Sequence, residues 1–367
     1  MGRMGHLLKT YSNNRDQRMK AASFIFLALF FFFALTCKKE PPIVPPPPSG
    51  PDTTSHNFTF TQYTFGGTGG SSYFKDVAII NDTDIWAVGT IYAFGDTMFN
   101  AAHWDGKKWK LLQIQFYTFC GQAHTGAYPI DAILALSGTE VWFASNSQMA
   151  IWKNDVQQNI MCLPASVYKI WAINGNAVYT VGPIGEIDFY NGTTWTIQSS
   201  GTTIDLRDVW GTADGSVVWA CGYSNDDSKS ILLKYDGANW KTVWSRDGTA
   251  SIPPYGYFVT SMWGDTALFL SAGRAVFHAT TQPPETTQVT TLPWFPYRIR
   301  ASAENNIVVG GDEGMIWHYN GASWREINLH SGQPLYSIAV SKTMCVAVGT
   351  ETSIGFGAAL IYVGNHQ

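Results

Sequence analysis

The sequence predicts an all-β fold, a seven-bladed β-propeller of four-stranded blades, and three observations carry that expectation. A β-rich run closed by a small residue recurs seven times. Its closing positions (89, 145, 182, 222, 273, 310 and 349) lie on average about 43 residues apart, the length of one blade. An aromatic, Asp or Asn, Gly, two residues and Trp follow most copies. The last copy lacks a fourth strand, whereas an orphan strand, Phe58 to Phe65, precedes the first. Composition agrees: 35 Gly and 15 Trp with only 14% charged residues suit a turn-rich β protein and exclude a disordered chain or a long solvated coiled coil.

The chain begins with an address. Residues 21–36 are apolar, follow Lys20 and precede Cys37-Lys38-Lys39-Glu40. The run is short for a membrane span of about 20 residues and reads as a secretory signal over residues 1–36. Met19-Lys20, directly before it, makes Met19 the expected initiator. The order apolar run, Cys, polar chain resembles the bacterial lipoprotein signal, which implies cleavage before Cys37 and lipid attachment to it. Ala34, Leu35 and Thr36 depart from the usual Leu-first, small-last pattern. Residues 37–56 contain PPIVPPPP at 41–48, and polyproline II at about 3.1 Å per residue makes them a stiff tether. The implied location is the outer membrane, lipid-anchored, on its periplasmic face or at the cell surface. The whole chain carries −4, but residues 1–36 hold five basic residues and one acidic one, so the remainder carries −8. An acidic domain without a basic stripe argues against nucleic acid as a partner.

Residues 57–367 form the ring. The Gly-closed run is clearest in Ile85-Trp86-Ala87-Val88-Gly89, Val218-Trp219-Ala220-Cys221-Gly222 and Cys345-Val346-Ala347-Val348-Gly349. Before each run comes the expected innermost strand, as in Leu206–Gly211, Tyr168–Trp171 and Phe258–Gly264. After it, Trp104-Asp105-Gly106 with Trp109, Tyr190-Asn191-Gly192 with Trp195, Tyr235-Asp236-Gly237 with Trp240 and Tyr319-Asn320-Gly321 with Trp324 mark the hairpin between third and fourth strands. Blade 2 has a degenerate copy at Trp152 to Asp155, and in blade 5 a Pro/Thr-rich loop from Ala279 to Thr291 is expected in its place. Tyr63 lies as far before Asp76 as Trp195 before Asp208, so Phe58 to Phe65 is expected to supply the outer strand of the last blade and remove two free sheet edges.

The order DVWG, VWACG, LLKYDGANW within residues 208–240 resembles secreted propeller proteins of Bacteroidota-type bacteria, often labelled glucosyl transferase. The resemblance spans nearly all of residues 57–367 and implies a lipoprotein. The residues themselves do not support sugar transfer: Asp82-Thr83-Asp84 falls in a turn, where Asp serves local backbone hydrogen bonding. A sialidase would need converging arginines; Arg207, Arg298 and Arg300 lie on inner strands, with Arg298 and Arg300 on one strand face.

No cofactor or metal is predicted. His103 and His318 fill one repeat slot that elsewhere holds Phe189 or Lys234, which makes them structural. Cys221 and Cys345 pack inside strands, and Cys120 and Cys162 are disulfide candidates. Binding is expected on the face where long loops gather: Thr90–Asn100, Gln115–Tyr128, Ser224–Ser230, Val243–Tyr257 and Thr350–Gly357. Candidate ligand-binding residues are Tyr92, Tyr117, His124, Tyr255, Tyr257, Trp294, Arg298 and Arg300, with Phe94 and Phe119 in the same loops. The expected function is a lipid-anchored envelope module that binds a carbohydrate or protein without chemistry. The alternatives are a glycan-active hydrolase, lyase or transferase acting at the channel mouth, and a structural component of an outer-membrane assembly.

Overall fold

The computed structural model describes residues 53–367 apart from 68, 225–228, 246–257, 265–266, 282–283 and 353–355. Cys37, the signal and most of the tether lie outside the described residues. The remainder builds seven four-stranded antiparallel sheets, the blades of a propeller, plus one small two-stranded sheet. The inner strands are Tyr73–Asn81, Ala132–Ser137, Lys169–Asn174, Leu206–Gly211, Val259–Gly264, Pro296–Ala303 and Leu335–Val340.

The ring closes through its first strand. Phe58–Phe65 pairs antiparallel with Ala358–His366, from Phe58 opposite His366 to Phe65 opposite Ala359, and becomes the outer strand of blade 7. Seven apolar clusters occupy the seven blade-to-blade interfaces among the described residues. One joins Phe74 and Ile91 of blade 1 to Val346 and Ile361 of blade 7 across the closure. The second strands fill these interfaces with Trp86, Trp142, Trp219 and with Cys221 and Cys345, all buried. Each fully buried large apolar side chain contributes about 1.5–3 kcal/mol, so a blade is held by its neighbours.

The hairpin motif is a four-residue loop. Asp105 Oδ1 accepts from the N–H groups of Lys107 and Lys108 at 3.0 Å each, and Asn191, Asp236 and Asn320 repeat the arrangement. Gly106, Gly192, Gly237 and Gly321 follow at φ between +85° and +97°, which a side chain would strain. The flanking aromatics pack across the loop, with centroids 5.1–5.7 Å apart.

Three sequence expectations need correction. Ala279–Thr291 is not a loop: Ala275–Thr281 and Pro284–Thr291 are the third and outer strands of blade 5. Its threonines and Val289 favour an extended edge, and Pro284 stands at a strand start, where no ladder N–H is needed. Thr90–Asn100 is mostly strand, with only a Phe94-Gly95-Asp96 turn between Asp84–Ala93 and Thr97–Trp104. Gln115–Tyr128 contains a hairpin of Gln115–Tyr117 and Thr125–Ala127, and Cys120 near its tip is disulfide-bonded to Cys162 with Cα atoms 5.8 Å apart. That bond ties the insertion to the outer strand of blade 2, which ends at Cys162.

Beside the closure, His318 is fully buried. Asn306 Nδ2 donates to Ser302 Oγ and Ser341 O, so Asn306 Oδ1 accepts from His318 Nε2 at 3.1 Å. His318 Nδ1 is then an acceptor, and His56 Nδ1 donates to it at 2.9 Å. Burial, with His56 and His366 close by, brings the His318 pKa down to about 3. Protonation would set one N–H against another. Unfolded chain takes up a proton near pH 6.5 while the native chain resists until about 3, so stability falls as pH drops through that window. We expect urea unfolding of His318→Gln to show a pH slope shallower than the parent's between pH 6.5 and 4.5, by up to about 1.4 kcal/mol per unit.

Candidate functional site

Each inner strand places one residue at an equivalent register, opposite a residue at, or one or two before, the closing position of the second strand. Asp76 faces Val88, Ala132 faces Ala144, Lys169 faces Val181, Asp208 faces Cys221, Ser261 faces Ser271, Arg298 faces Gly310 and Ser337 faces Val348. All seven are buried, so they form a ring across the central channel. Five of the strands carry a bulge directly before this slot, at Lys75, Arg207, Thr260, Tyr297 and Tyr336. A bulge adds a residue and turns the next side chain.

The order around the ring is Asp, Ala, Lys, then Asp, Ser, Arg, then Ser. Each Asp pairs with a cation two blades on, over a small residue between. Lys169 Nζ donates to Asp76 Oδ2 at 2.5 Å, and Ser337 Oγ and the Ile133 N–H complete that carboxylate. Arg300, two residues beyond the slot, donates from Nη1 and Nη2 to both Asp208 oxygens at 2.8 Å, and Ser261 Oγ donates to Oδ2. Arg298 Nη1 lies 2.8 Å from Asp208 Oδ1 without hydrogen-bond alignment, and Arg298 Nε has no hydrogen-bond partner among the described residues.

Burial alone would raise both carboxyl pKa values. Lys169 and Arg298 overcome it at Asp76, and Arg300 and Arg298 do so at Asp208, so both stay below the usual carboxylate range. Burial, with Arg298 and Arg300 nearby, brings Lys169 down to about 8 against the pull of Asp76. Elsewhere, Asp188 is buried in blade 3, where burial pushes its pKa up to about 6.

Arg298 and Arg300, expected at a ligand, thus meet each other at a buried carboxylate. Arg207 stands apart: it pairs with Asp205 at 2.8 Å and lies between the rings of Tyr168 and Tyr223, 4.7 and 5.2 Å from their centroids. The three arginines do not converge. Asp82 accepts from Thr343 Oγ1, and Asp84 holds Trp86 Nε1 and His103.

On the loop face, Trp294 projects into solvent, with the Arg274 guanidinium 6.0 Å from its ring and donating to the Pro293 carbonyl. His124 is exposed in the disulfide-linked hairpin, where its carbonyl accepts from Thr118 N–H. Tyr92 and Tyr117 are half-buried in strands, and Tyr117 exchanges two backbone hydrogen bonds with the Gln148 side chain. Their loop neighbours carry the exposure instead. Phe94 is 83% exposed, Phe119 67%, Phe356 56% and Trp294 48%, and all four stand on this face. The strand boundary explains the pattern, because Tyr92 falls within a paired strand and Phe94 on the turn that follows. Tyr255 and Tyr257 lie outside the described residues.

The opposite face, where first and second strands turn, holds a cavity of about 840 Å³ between blades 4, 5 and 6. Trp210, Trp263, Phe269, His278 and Tyr319 line it with Glu304. Sequence reasoning passed over it because its aromatics belong to regular repeat positions. Gly211, Gly264 and Gly321 are also among its lining.

No protein-family model matches the chain, and no curated protein sequence matches it. Solved structures do. One described as YCF48 bound to D1 peptide aligns with a TM-score of 0.55 and 16% identity, over 85% of this chain and 99% of that one. The extracellular domain of a putative one-component system of B. thetaiotaomicron aligns at 0.56 and 12%, over 82% of this chain and 40% of that one. The WD40 β-propeller domain of Doa1 aligns at 0.59 and 12%, over 87% and 98%. These likenesses show a shared propeller fold.

Removing Asp208 would strand two guanidiniums in the channel. Asp208→Ala is expected to lose about 3–5 kcal/mol in denaturant unfolding, the usual cost of breaking a buried pair from one side, whereas the exposed pair partner Lys241→Ala should lose less than about 1.

Proposed function

We propose that this protein is a lipid-anchored envelope propeller whose loop face binds a protein or peptide partner. The observation that carries the reading is the placement of Phe94, Phe119, Phe356 and Trp294: every strongly exposed aromatic among the described residues stands on one face. Isolated exposed apolar residues need no explanation, but several aromatics sharing one rigid face suit a broad interface. Arg207 between two tyrosines adds a cation held ready beside the channel mouth. The D1 peptide bound by YCF48 gives a precedent for peptide binding by a chain of similar fold. A carbohydrate partner uses the same aromatic faces and is the second ligand class to screen.

The anchor reading rests on sequence. Cys37 directly follows the apolar run and precedes a proline-rich tether, an arrangement that would hold the ring away from an outer-membrane surface while leaving it free to turn. The likeness of the repeats to Bacteroidota-type lipoproteins supports the same location.

Two tests follow. Peptide and glycan arrays probed with the full chain should show saturable binding that Phe94→Ser, Trp294→Ser and Phe356→Ser together weaken at least tenfold without changing Tm by more than a few degrees; undiminished binding would remove the loop face from the proposal. In cells fed a labelled fatty acid, the parent chain should carry label and Cys37→Ala should carry none, and equal labelling of both would overturn the anchor.

A further inference from the structure

A cavity of about 320 Å³ extends from Lys169 and Arg300 to Ile79, Ala172 and Val340, near the ends of their inner strands. It therefore lies on the turn side, away from the loop-face aromatics. Small residues on the inner strands leave room there: Ala78, Ala135, Ala172, Ala301 and Ala339 all line it and all are half-buried. The other walls are largely aliphatic, among them Val77, Leu134, Ile170 and Ile338. Among the described residues, the charged groups in the lining are Lys169 and Arg300.

The charge at the ring does not balance. Lys169, Arg298 and Arg300 face two carboxylates, Asp76 and Asp208, which leaves one positive charge in a buried site. Donors are also left over. The Lys169 ammonium has three N–H groups and one described acceptor, Asp76, and its side chain is only 9% exposed. Arg298 Nε adds a second buried donor without a hydrogen-bond partner among the described residues. A buried cation in excess is costly unless an anion meets it. Burial first, and Arg298 and Arg300 beside it, depress the Lys169 pKa, and a further anion would oppose both effects.

We propose that this cavity binds an organic monocarboxylate, its carboxylate on Lys169 beside Arg300 and its apolar body along the alanine-lined lumen. One negative charge neutralises the surplus. An inorganic anion would use the cations but leave the aliphatic walls without a partner, whereas a neutral chain would do the reverse. The cavity equals about ten water volumes, which admits an acid of roughly ten non-hydrogen atoms.

Octanoate is a probe of that size. Calorimetry on the purified full chain should show saturable octanoate binding, with acetate and sulfate at least tenfold weaker and octanol not detectably bound. Lys169→Met should weaken octanoate at least tenfold. Because that change also removes a partner of Asp76, a second variant keeps every charge: Ala172→Leu with Ala339→Leu fills the lumen and should abolish binding while the melting temperature stays near the parent's. No octanoate binding, octanol binding as tightly as octanoate, sulfate matching octanoate, or unchanged octanoate affinity in the filled variant would each overturn the proposal.

Discussion

The constraint on which the rest depends is closure of the ring by pairing Phe58–Phe65 with Ala358–His366. A blade cannot bury both faces alone; each needs a neighbour on either side, and only a closed circle gives every blade two. The pairing removes two sheet edges and completes the cluster that joins blade 7 to blade 1. It also positions the chain leading into the first strand. Thr54 donates to the Asn305 and Asn320 carbonyls, and His56 meets His318. Closure is therefore fastened at its flank as well as along its ladder, by neutral histidines whose tautomers are fixed by Asn306.

Closure sets the geometry of the channel, and the channel explains why the inner slot diverges while the outer hairpin repeats. At the hairpin, each blade solves the same local problem, a four-residue loop satisfied by one Asp or Asn and one positive-φ Gly, so the residues recur. At the slot, seven residues converge on one axis, and seven identical charges there would repel. The solution is two Asp–small–cation triplets and one Ser. Lys169 and Arg298 are long enough to reach back over Ala132 and Ser261, and the small residue is what lets them pass. A bulge just before the slot turns Asp76, Asp208 and Arg298 inward.

Most of the architecture was legible in the sequence because it is written in short patterns. The Gly-closed runs, the hairpin motif and the match of Tyr63 to Trp195 each need only neighbouring residues to be recognised, and the seven blades and the closing strand follow from them. The edge strand Pro284–Thr291 was misread because prolines mask a β-branched run. The ring charges were half legible: Asp76 and Asp208 align in the repeat, and Lys169 and Arg298 occupy the same slot, but their pairing skips a blade and so leaves no trace in adjacent repeats. At the rim, aromatic content marked loops that carry exposed rings. Which ring is exposed depends on where the strand ends, a boundary that two residues move from Tyr92 to Phe94.

The two faces of the ring are chemically unlike, and that difference bears on how one fold could serve two ligands. The loop face presents large rings at scattered points around the rim, suited to a broad surface of contact. The turn face leads to recessed space: an aromatic-walled cavity among blades 4 to 6 and, next to it, the channel well, with Trp210 in the lining of both. Arg300 lies over Trp210, its guanidinium 5.4 Å from the ring centroid, and also grips Asp208 with both terminal nitrogens. That one side chain touches the ring, the well and the wall of the larger cavity. A ligand that drew on Arg300 from the turn side would have to share it with Asp208, whose hold is bidentate and buried. Lys169, with a single acceptor and two donors to spare, is the group in the ring best able to take a new partner without disturbing the pairs that keep the channel together.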